Sequence, residues 1–172
     1  MVDERVGGAE EEGQTLTVVG RMLQPGDKAP PFTLEHFDGA TMSSVSLDDL
    51  AGSVVVLNVV NSVDTPVCDV QTRRVDDLFG GARVLTVSMD LPFALARWTA
   101  AAGVRHPALS SHKNEHFGRD YGVLIKEWRC LQRSVFVIDP AGRLAYVEYV
   151  RDQMTEPDYG AAAAAVAAAQ AG

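Results

Sequence analysis

One cysteine of this sequence stands where a thiol can become a nucleophile. Cys68 follows Asp64-Thr65-Pro66-Val67, a run typical of a helix start, with Thr65 as the N-cap and Pro66 at the first helical position. Cys68 then occupies the third helical position, where unpaired N–H groups and the positive end of the helix dipole favour an anionic sulfur. Because the thiolate is the reactive form of cysteine, this placement predicts a chemically active side chain.

Thiolate character alone does not make a fast catalyst, since the nucleophilicity of a thiolate falls as it becomes easier to form. A reaction that develops negative charge on a leaving atom also needs groups that bind this charge, such as a hydroxyl and a fixed cation. Thr65 supplies the hydroxyl. Arg133 is the cation that we expect, because its charge is permanent and its donors form a fork.

The elements that must position these residues alternate between strands and helices. The β-branched run over 54–60 is typical of a strand buried on both faces, so we expect it to be central. The other predicted elements are helices over 66–79, from about 92, over 114–121 and over 161–169, and strands over 84–87, 134–138 and 144–150, of which the last two form a hairpin. The pattern predicts an α/β protein with a mixed central sheet flanked by helices.

At the N-terminus the sequence predicts a tail followed by one domain. Residues 1–14 combine Gly with an acidic run and offer little to bury, so we expect an acidic disordered tail, and a domain over 15–172. The run Thr15–Val19 followed by Gly20 predicts a strand and turn, and hence an N-terminal β-hairpin with the residues that follow.

Bulk composition excludes several classes of protein. The chain has 172 residues, 47% of them hydrophobic, which suits one domain, and its formal charge of -8 disfavours nucleic acid as a partner. Its two cysteines cannot form a disulfide framework, so we expect a reducing compartment, the cytoplasm. The sequence shows neither a signal peptide nor a long apolar segment, so we predict no membrane association.

Several motifs in register resemble one family over roughly residues 15–170. The segment over 62–68, Ser-Val-Asp-Thr-Pro-Val-Cys, is similar to the active-site segment of the thiol peroxidases, peroxiredoxins of the atypical 2-Cys type. The resemblance continues through Asp-Leu-Pro-Phe-Ala over 90–94, Arg133 before Val-Phe-Val-Ile-Asp, and Glu-Pro-Asp-Tyr over 156–159. It implies a thioredoxin-like fold, a homodimer and reduction of hydrogen peroxide and organic hydroperoxides, with thioredoxin or another thiol as reductant and no cofactor. Cys68, Thr65 and Arg133 match the family's catalytic positions.

Two positions depart from the family pattern. Asn61 stands where the family usually has a proline, and the loss of that ring predicts a wetter or looser pocket. Thr99 stands at the position of the usual resolving cysteine, and a hydroxyl cannot close a disulfide. The remaining thiol is Cys130, for which side-chain alternation along an extended chain predicts a direction opposite to that of Arg133.

The departures leave three interpretations of the second half of the reaction. An external thiol reduces a Cys68 sulfenic acid, or Cys130 serves as the resolving thiol, or Cys130 is an inert small hydrophobe and Cys68 is recycled poorly. The competing function is a thioredoxin-fold redox sensor or interaction protein that has lost turnover.

Other residues that attract attention have simpler explanations. His112 and His116 are four residues apart, as zinc ligands on a helix are, but no third ligand is evident and a solvated helix face explains them better, so we predict no metal site. Trp98 and Trp128 fit core or interface packing better than a role in the pocket.

Overall fold

A computed structural model describes residues 3–172 and contains eleven strands and four α-helices. The strands are β1 (Glu4–Glu11), β2 (Gln14–Val19), β3 (Thr33–Phe37), β4 (Met42–Ser46), β5 (Val55–Val59), β6 (Arg83–Ser88), β7 (Ala108–Ser110), β8 (Leu124–Ile125), β9 (Cys130–Leu131), β10 (Ser134–Ile138) and β11 (Leu144–Tyr149). The helices are α1 (Pro66–Leu78), α2 (Pro92–Ala102), α3 (His116–Asp120) and α4 (Tyr159–Ala171). None of these helices within residues 3–172 has the length and apolar composition needed to cross a bilayer.

The main sheet has seven strands in the order β11-β10-β5-β6-β7-β3-β4. The pairs β5-β6 and β6-β7 are parallel and the other pairs are antiparallel, so the sheet is mixed as predicted. Strand β5 lies inside the sheet and all five of its residues are buried, because helices or loops cover both faces. The predicted hairpin over 134–150 is also present, as β10 and β11.

Side-chain alternation along β5 supplies both hydrophobic layers. Leu57 belongs to the larger cluster with Tyr121, which follows α3. Val56 belongs to the cluster on the opposite face, with Val75 of α1 and Val166 of α4. Such alternation is what a sheet between two helical layers requires, and it confirms the predicted α/β plan.

The N-terminal segment differs from the prediction of a disordered tail. Residues Glu4–Glu11 form strand β1 and pair with β2 through a two-residue turn, in which Glu12 and Gly13 have φ values of 48° and 83°. Positive φ at both positions is typical of a hairpin turn of type I′. Its acidic side chains lie along a strand edge while Ala9 is fully buried, so the composition of the segment was misleading. The predicted hairpin exists, but the partner of β2 precedes it in the chain.

A second sheet, of order β1-β2-β8-β9, carries Cys130 at its end. Strand β1 is fixed to distant parts of the chain by backbone hydrogen bonds, including one of 2.8 Å from Glu10 N–H to Arg151 O and one of 2.8 Å from Gln153 N–H to Glu10 O. These contacts bring the N-terminal hairpin beside the segment that follows β11. The segment that was predicted to be a disordered tail therefore borders the candidate active site, through Glu11.

A buried carboxylate on α1 fixes the loop before β7. Asp76 accepts hydrogen bonds from the side chains of Arg105 at 2.9 Å and His106 at 2.8 Å, and from their backbone N–H groups. Burial alone would raise the pKa of the Asp76 carboxyl, but the bonds from Arg105 and His106 outweigh it and hold that pKa well below its ordinary value.

We expect Asp76→Asn to lower the free energy of unfolding by about 1–3 kcal/mol at pH 7. A carboxyl whose pKa is depressed by folding stabilises the protein above its unfolded pKa of about 4, and this contribution is lost as the pH falls further. The difference between wild type and variant should therefore shrink below about pH 4 in urea titrations from pH 7 to pH 3. Asp77→Asn is the exposed control and should change stability little. A stability difference between wild type and Asp76→Asn that stays the same at every pH would contradict a lowered pKa for Asp76.

Candidate active site

The start of α1 places Cys68 as the sequence predicted. Thr65 is the N-cap in backbone conformation, with φ −90° and ψ 142°, Pro66 follows at the first helical position, and the Asp69 N–H donates to the Thr65 carbonyl at 2.9 Å. The N–H groups of Val67 and Cys68 precede this bond and have no partner within the helix. Cys68 is fully buried, at 0% exposure.

The Thr65 side chain does not cap the helix. Its hydroxyl donates to the Ser62 carbonyl at 2.9 Å, which leaves the oxygen lone pairs free to accept. The Ser62 hydroxyl in turn donates to Asp90 at 2.8 Å, and the Val63 N–H donates to the same carboxylate at 2.9 Å. Asp90 therefore holds the loop that leads into α1.

The structure places Arg133 beside the sulfur. Its side chain is 1% exposed, and Nη1 lies 3.3 Å from Cys68 Sγ. Nη1 also donates to Gln71 Oε1 at 2.6 Å, and Nη2 donates to the Gln153 carbonyl at 2.7 Å. Within residues 3–172 the guanidinium forms no ion pair with a carboxylate. The unpaired guanidinium is therefore placed to stabilise negative charge that develops next to the sulfur during a reaction.

A network of hydrogen bonds between buried polar side chains holds Arg133 in position and begins at Gln71. Gln71 donates to Asn58 Oδ1, and Asn58 donates to Thr86 Oγ1 at 2.9 Å. Thr86 Oγ1 lies 2.7 Å from His106 Nε2, and burial lowers the pKa of His106, so its ring is neutral near pH 7. The network thus runs from the guanidinium across the sheet to the Asp76 carboxylate, which is itself largely buried. Sequence patterns did not indicate it, because its members are far apart in the chain.

Asn61 contacts both the sulfur and the guanidinium. Its Oδ1 lies 3.7 Å from Cys68 Sγ and 3.5 Å from Arg133 Nη2. Its Nδ2 donates to the Leu131 carbonyl at 2.6 Å and to Gln153 Oε1 at 3.0 Å. The sequence predicted a looser pocket at this position, but the amide is 8% exposed and held by four contacts, so the structure shows a well-ordered wall.

A cavity of about 350 Å³ opens between the start of α1 and the second sheet. It is bordered by Glu11, Asn61, Ser62, Thr65, Pro66, Val67, Trp128, Cys130, Arg133, Gln153 and Met154. Trp128 therefore borders the site, whereas Trp98 packs in the cluster that contains Cys68 and donates to Asp69 at 3.0 Å. Cys68 itself is fully buried and does not border the cavity, but it contacts Asn61 and Arg133, which do.

Cys130 and Arg133 border the same cavity, which corrects the expectation that they point to opposite sides. Strand β9 ends at Leu131 and β10 begins at Ser134, so the intervening residues are not one regular strand and alternation does not apply to them. Burial, with smaller effects from Cys68, Asp90 and Glu11, raises the pKa of Cys130 to about 12, so this thiol is protonated at neutral pH. Both cysteines are free thiols in the structure.

The remaining candidate residues lie away from this chemistry. Thr99 is half-buried on α2, where its hydroxyl donates to the Ala96 carbonyl at 3.1 Å. His112 precedes α3 and lies 2.9 Å from Ser110 Oγ, whereas His116 begins the helix, so the two do not share a helix face as their spacing had indicated. Among residues 3–172, no three His, Cys, Asp or Glu side chains are grouped as metal ligands.

Comparison with known proteins agrees with this geometry. The AhpC/TSA family model matches residues 25–147. The thiol peroxidase of Halalkalibacterium halodurans is 46% identical over 162 residues, covering 92% of this chain and 96% of the relative. The thiol peroxidase of Bacillus subtilis is 43% identical over 152 residues, covering 86% and 89%. A peroxiredoxin-like protein from Aquifex aeolicus has a structure that superposes with a TM-score of 0.83 at 31% identity, covering 94% of this chain and 96% of that one.

The chain therefore belongs to the AhpC/TSA family. Fold and relatives together define an oxidoreductase with a thioredoxin-like architecture, and at 43% to 46% identity the relatives identify its class of activity as that of a thiol-dependent peroxidase.

Proposed function

We propose that Cys68 is the thiol that reduces peroxide, and that Thr65 and Arg133 bind the peroxide oxygens. The observation that carries this proposal is the buried guanidinium of Arg133, which lies 3.3 Å from Cys68 Sγ and has no carboxylate partner within the described residues. The cavity bordered by Thr65 and Arg133 supplies the place for a substrate.

The first step transfers one oxygen to sulfur. The Cys68 thiolate attacks one peroxide oxygen, the O–O bond breaks as the S–O bond forms, and the other oxygen leaves with the electron pair and takes a proton. Sulfur is oxidised by two electrons to a sulfenic acid, and the peroxide is reduced to water or an alcohol. Negative charge grows on the leaving oxygen, where a fixed cation lowers the barrier most. The buried Arg133 Nε–H has no partner among the described residues, so it remains available as a donor.

The substrates that we propose are hydrogen peroxide and organic hydroperoxides. The cavity lining combines an apolar set, Trp128, Met154, Pro66 and Val67, with the polar groups of Asn61 and Arg133. A small polar peroxide needs only the second set, whereas the apolar set can accommodate an organic substituent.

For the second step, we favour reduction of the sulfenic acid by an external thiol such as thioredoxin. Thr99 cannot form a disulfide, and the Cys130 thiol is protonated at neutral pH because burial raises its pKa to about 12. The reducing conditions that this step requires agree with a cytoplasmic location.

A homodimer is part of the proposal, and the exposed Leu91 and Phe93 at the start of α2 offer apolar surface for a second copy.

Intact mass after one equivalent of hydrogen peroxide tests this function. We expect the reduced protein to gain about 16 Da, or a trap adduct, at Cys68, as a sulfenic acid would. The variant Cys130→Ser should gain the same mass, because the proposed step does not involve Cys130. Absence of any mass change in the wild type would instead favour an interaction protein whose thiols do not react with peroxide.

Cys130 as the resolving thiol is the second candidate, because it borders the same cavity as Thr65 and Arg133. It would show as a loss of about 2 Da, or as a covalent dimer, in the wild type. The Cys130→Ser variant would then stop at the sulfenic acid.

A further inference from the structure

We propose that the Asn61 amide oxygen is a hydrogen-bond acceptor that retains the proton of the Cys68 sulfenic acid and so protects it from a second oxidation. This inference rests on the proposed role of Cys68. Asn61 Oδ1 is the acceptor that lies nearest to the reacting sulfur in the hydrogen-bond network, 3.7 Å from Sγ.

The direction of the amide is fixed by its partners. The Leu131 carbonyl and Gln153 Oε1 can only accept, so the amide nitrogen must face them, at 2.6 Å and 3.0 Å. Gln153 is itself fixed, because its Oε1 accepts from the Arg133 N–H at 2.9 Å while its Nε2 donates to the Val150 carbonyl at 2.6 Å. Asn61 Oδ1 is therefore held toward the sulfur and cannot exchange places with the nitrogen.

An acceptor in this position stabilises the protonated forms of the sulfur group and destabilises its anions. It accepts a hydrogen bond from S–H in the reduced protein and from S–O–H in the sulfenic acid, which stabilises both protonated forms. It repels the thiolate and the sulfenate anion, because its partial negative charge faces theirs. Arg133 acts in the opposite direction, and the two groups contact the same sulfur from adjacent positions.

Overoxidation proceeds through the sulfenate. The anion attacks a second peroxide, the O–O bond breaks, a second S–O bond forms, and the leaving oxygen takes the proton to give water or an alcohol. Sulfur loses two more electrons and becomes a sulfinic acid, which an ordinary thiol does not reduce. By holding the sulfenic proton, Asn61 lowers the population of the anion that starts this step. The same contact slows the first oxidation, since that step needs the thiolate.

The test compares wild type with Asn61→Leu, which has a similar size and no acceptor. We expect the first oxidation by hydrogen peroxide to be roughly threefold to tenfold faster in the variant. After excess peroxide without reductant, the species heavier by about 32 Da should appear at a peroxide concentration lower by a similar factor. Asn114→Leu, an exposed exchange of the same kind, is the matched control and should behave as wild type.

The informative result is that both oxidations, to the sulfenic acid and to the sulfinic acid, become faster in Asn61→Leu, because damage to the fold would slow them. Asn61→Pro, which restores the residue common in the family, is a second variant without an acceptor and carries the test if the leucine variant does not fold. Equal rates in wild type and variants, or slower oxidation in both variants, would overturn the inference alone. A wild type that gains no mass with peroxide would overturn the role of Cys68 and this inference together.

Discussion

Replacement of Cys68 by serine should abolish peroxide consumption. A serine hydroxyl is not ionised near neutral pH and cannot form the oxidised sulfur species, so the first step has no nucleophile. The site is fully buried, and serine differs from cysteine by one atom of similar size, so the fold should persist. The measurement is hydrogen peroxide remaining after incubation with protein and dithiothreitol.

The matched control for this variant is Cys130→Ser, because it removes the other thiol of the chain, which borders the cavity. It should retain peroxide consumption with dithiothreitol as reductant. Consumption retained by Cys68→Ser and lost in Cys130→Ser would exchange the roles of the two cysteines. Consumption retained by both variants would contradict the essential role of Cys68, because each variant still contains one thiol.

The sequence predicted those parts of the site that local patterns determine. The Thr-Pro pair before Val67 marks a helix start by its own conformational preferences, and the buried run over 54–60 is a strand for the same reason. These two elements place Cys68 in the first turn of the helix that follows an inner strand. The approach of Arg133 to Cys68 could be expected only from family resemblance, since 65 residues separate them.

The remaining parts depend on contacts between segments that are distant in the sequence. Strand β1 was missed because its backbone bonds to Arg151 and to β2 help to stabilise it, and side-chain composition does not reveal such bonds. Asn61 was expected to loosen the pocket because the sequence shows the missing proline ring but not the acceptors at Leu131 and Gln153. Hairpin β3-β4 was missed because six of its ten residues are polar, so the sequence shows no clear apolar strand there.

Thr99 and Asn61 both affect the fate of the proposed Cys68 sulfenic acid, although they lie in different parts of the chain. On the proposed mechanism, Thr99 supplies no thiol to capture the Cys68 sulfenic acid, so a second peroxide can react with that intermediate. The proposed Asn61 contact limits this second oxidation, because it keeps the sulfenic acid protonated. A peroxidase that depends on an external thiol benefits from such a contact, whereas one that forms its disulfide at once does not need it.

Arg133→Ala should lower kcat/KM for hydrogen peroxide by at least roughly tenfold, equivalent to about 1.4 kcal/mol of transition-state stabilisation. The guanidinium supplies the cation beside Cys68 Sγ and the free Nε–H, and alanine removes both. Arg133→Lys keeps a positive charge but lacks the fork that reaches Gln71 and Gln153 together, so its activity should lie between those of alanine and arginine.

Adding guanidinium ion to the alanine variant distinguishes a role of the Arg133 charge in the reaction from a purely structural role. The truncation leaves a space lined by the same acceptors, Gln71 Oε1 and the Gln153 carbonyl, into which the free ion fits. Millimolar guanidinium should restore part of the lost kcat/KM of Arg133→Ala and leave wild type unchanged, because only the variant lacks the cation. Loss of activity in a folded variant without any such rescue would assign Arg133 to the packing of α1, and the charge that lowers the barrier would then have to come from the unpaired N–H groups at the start of that helix.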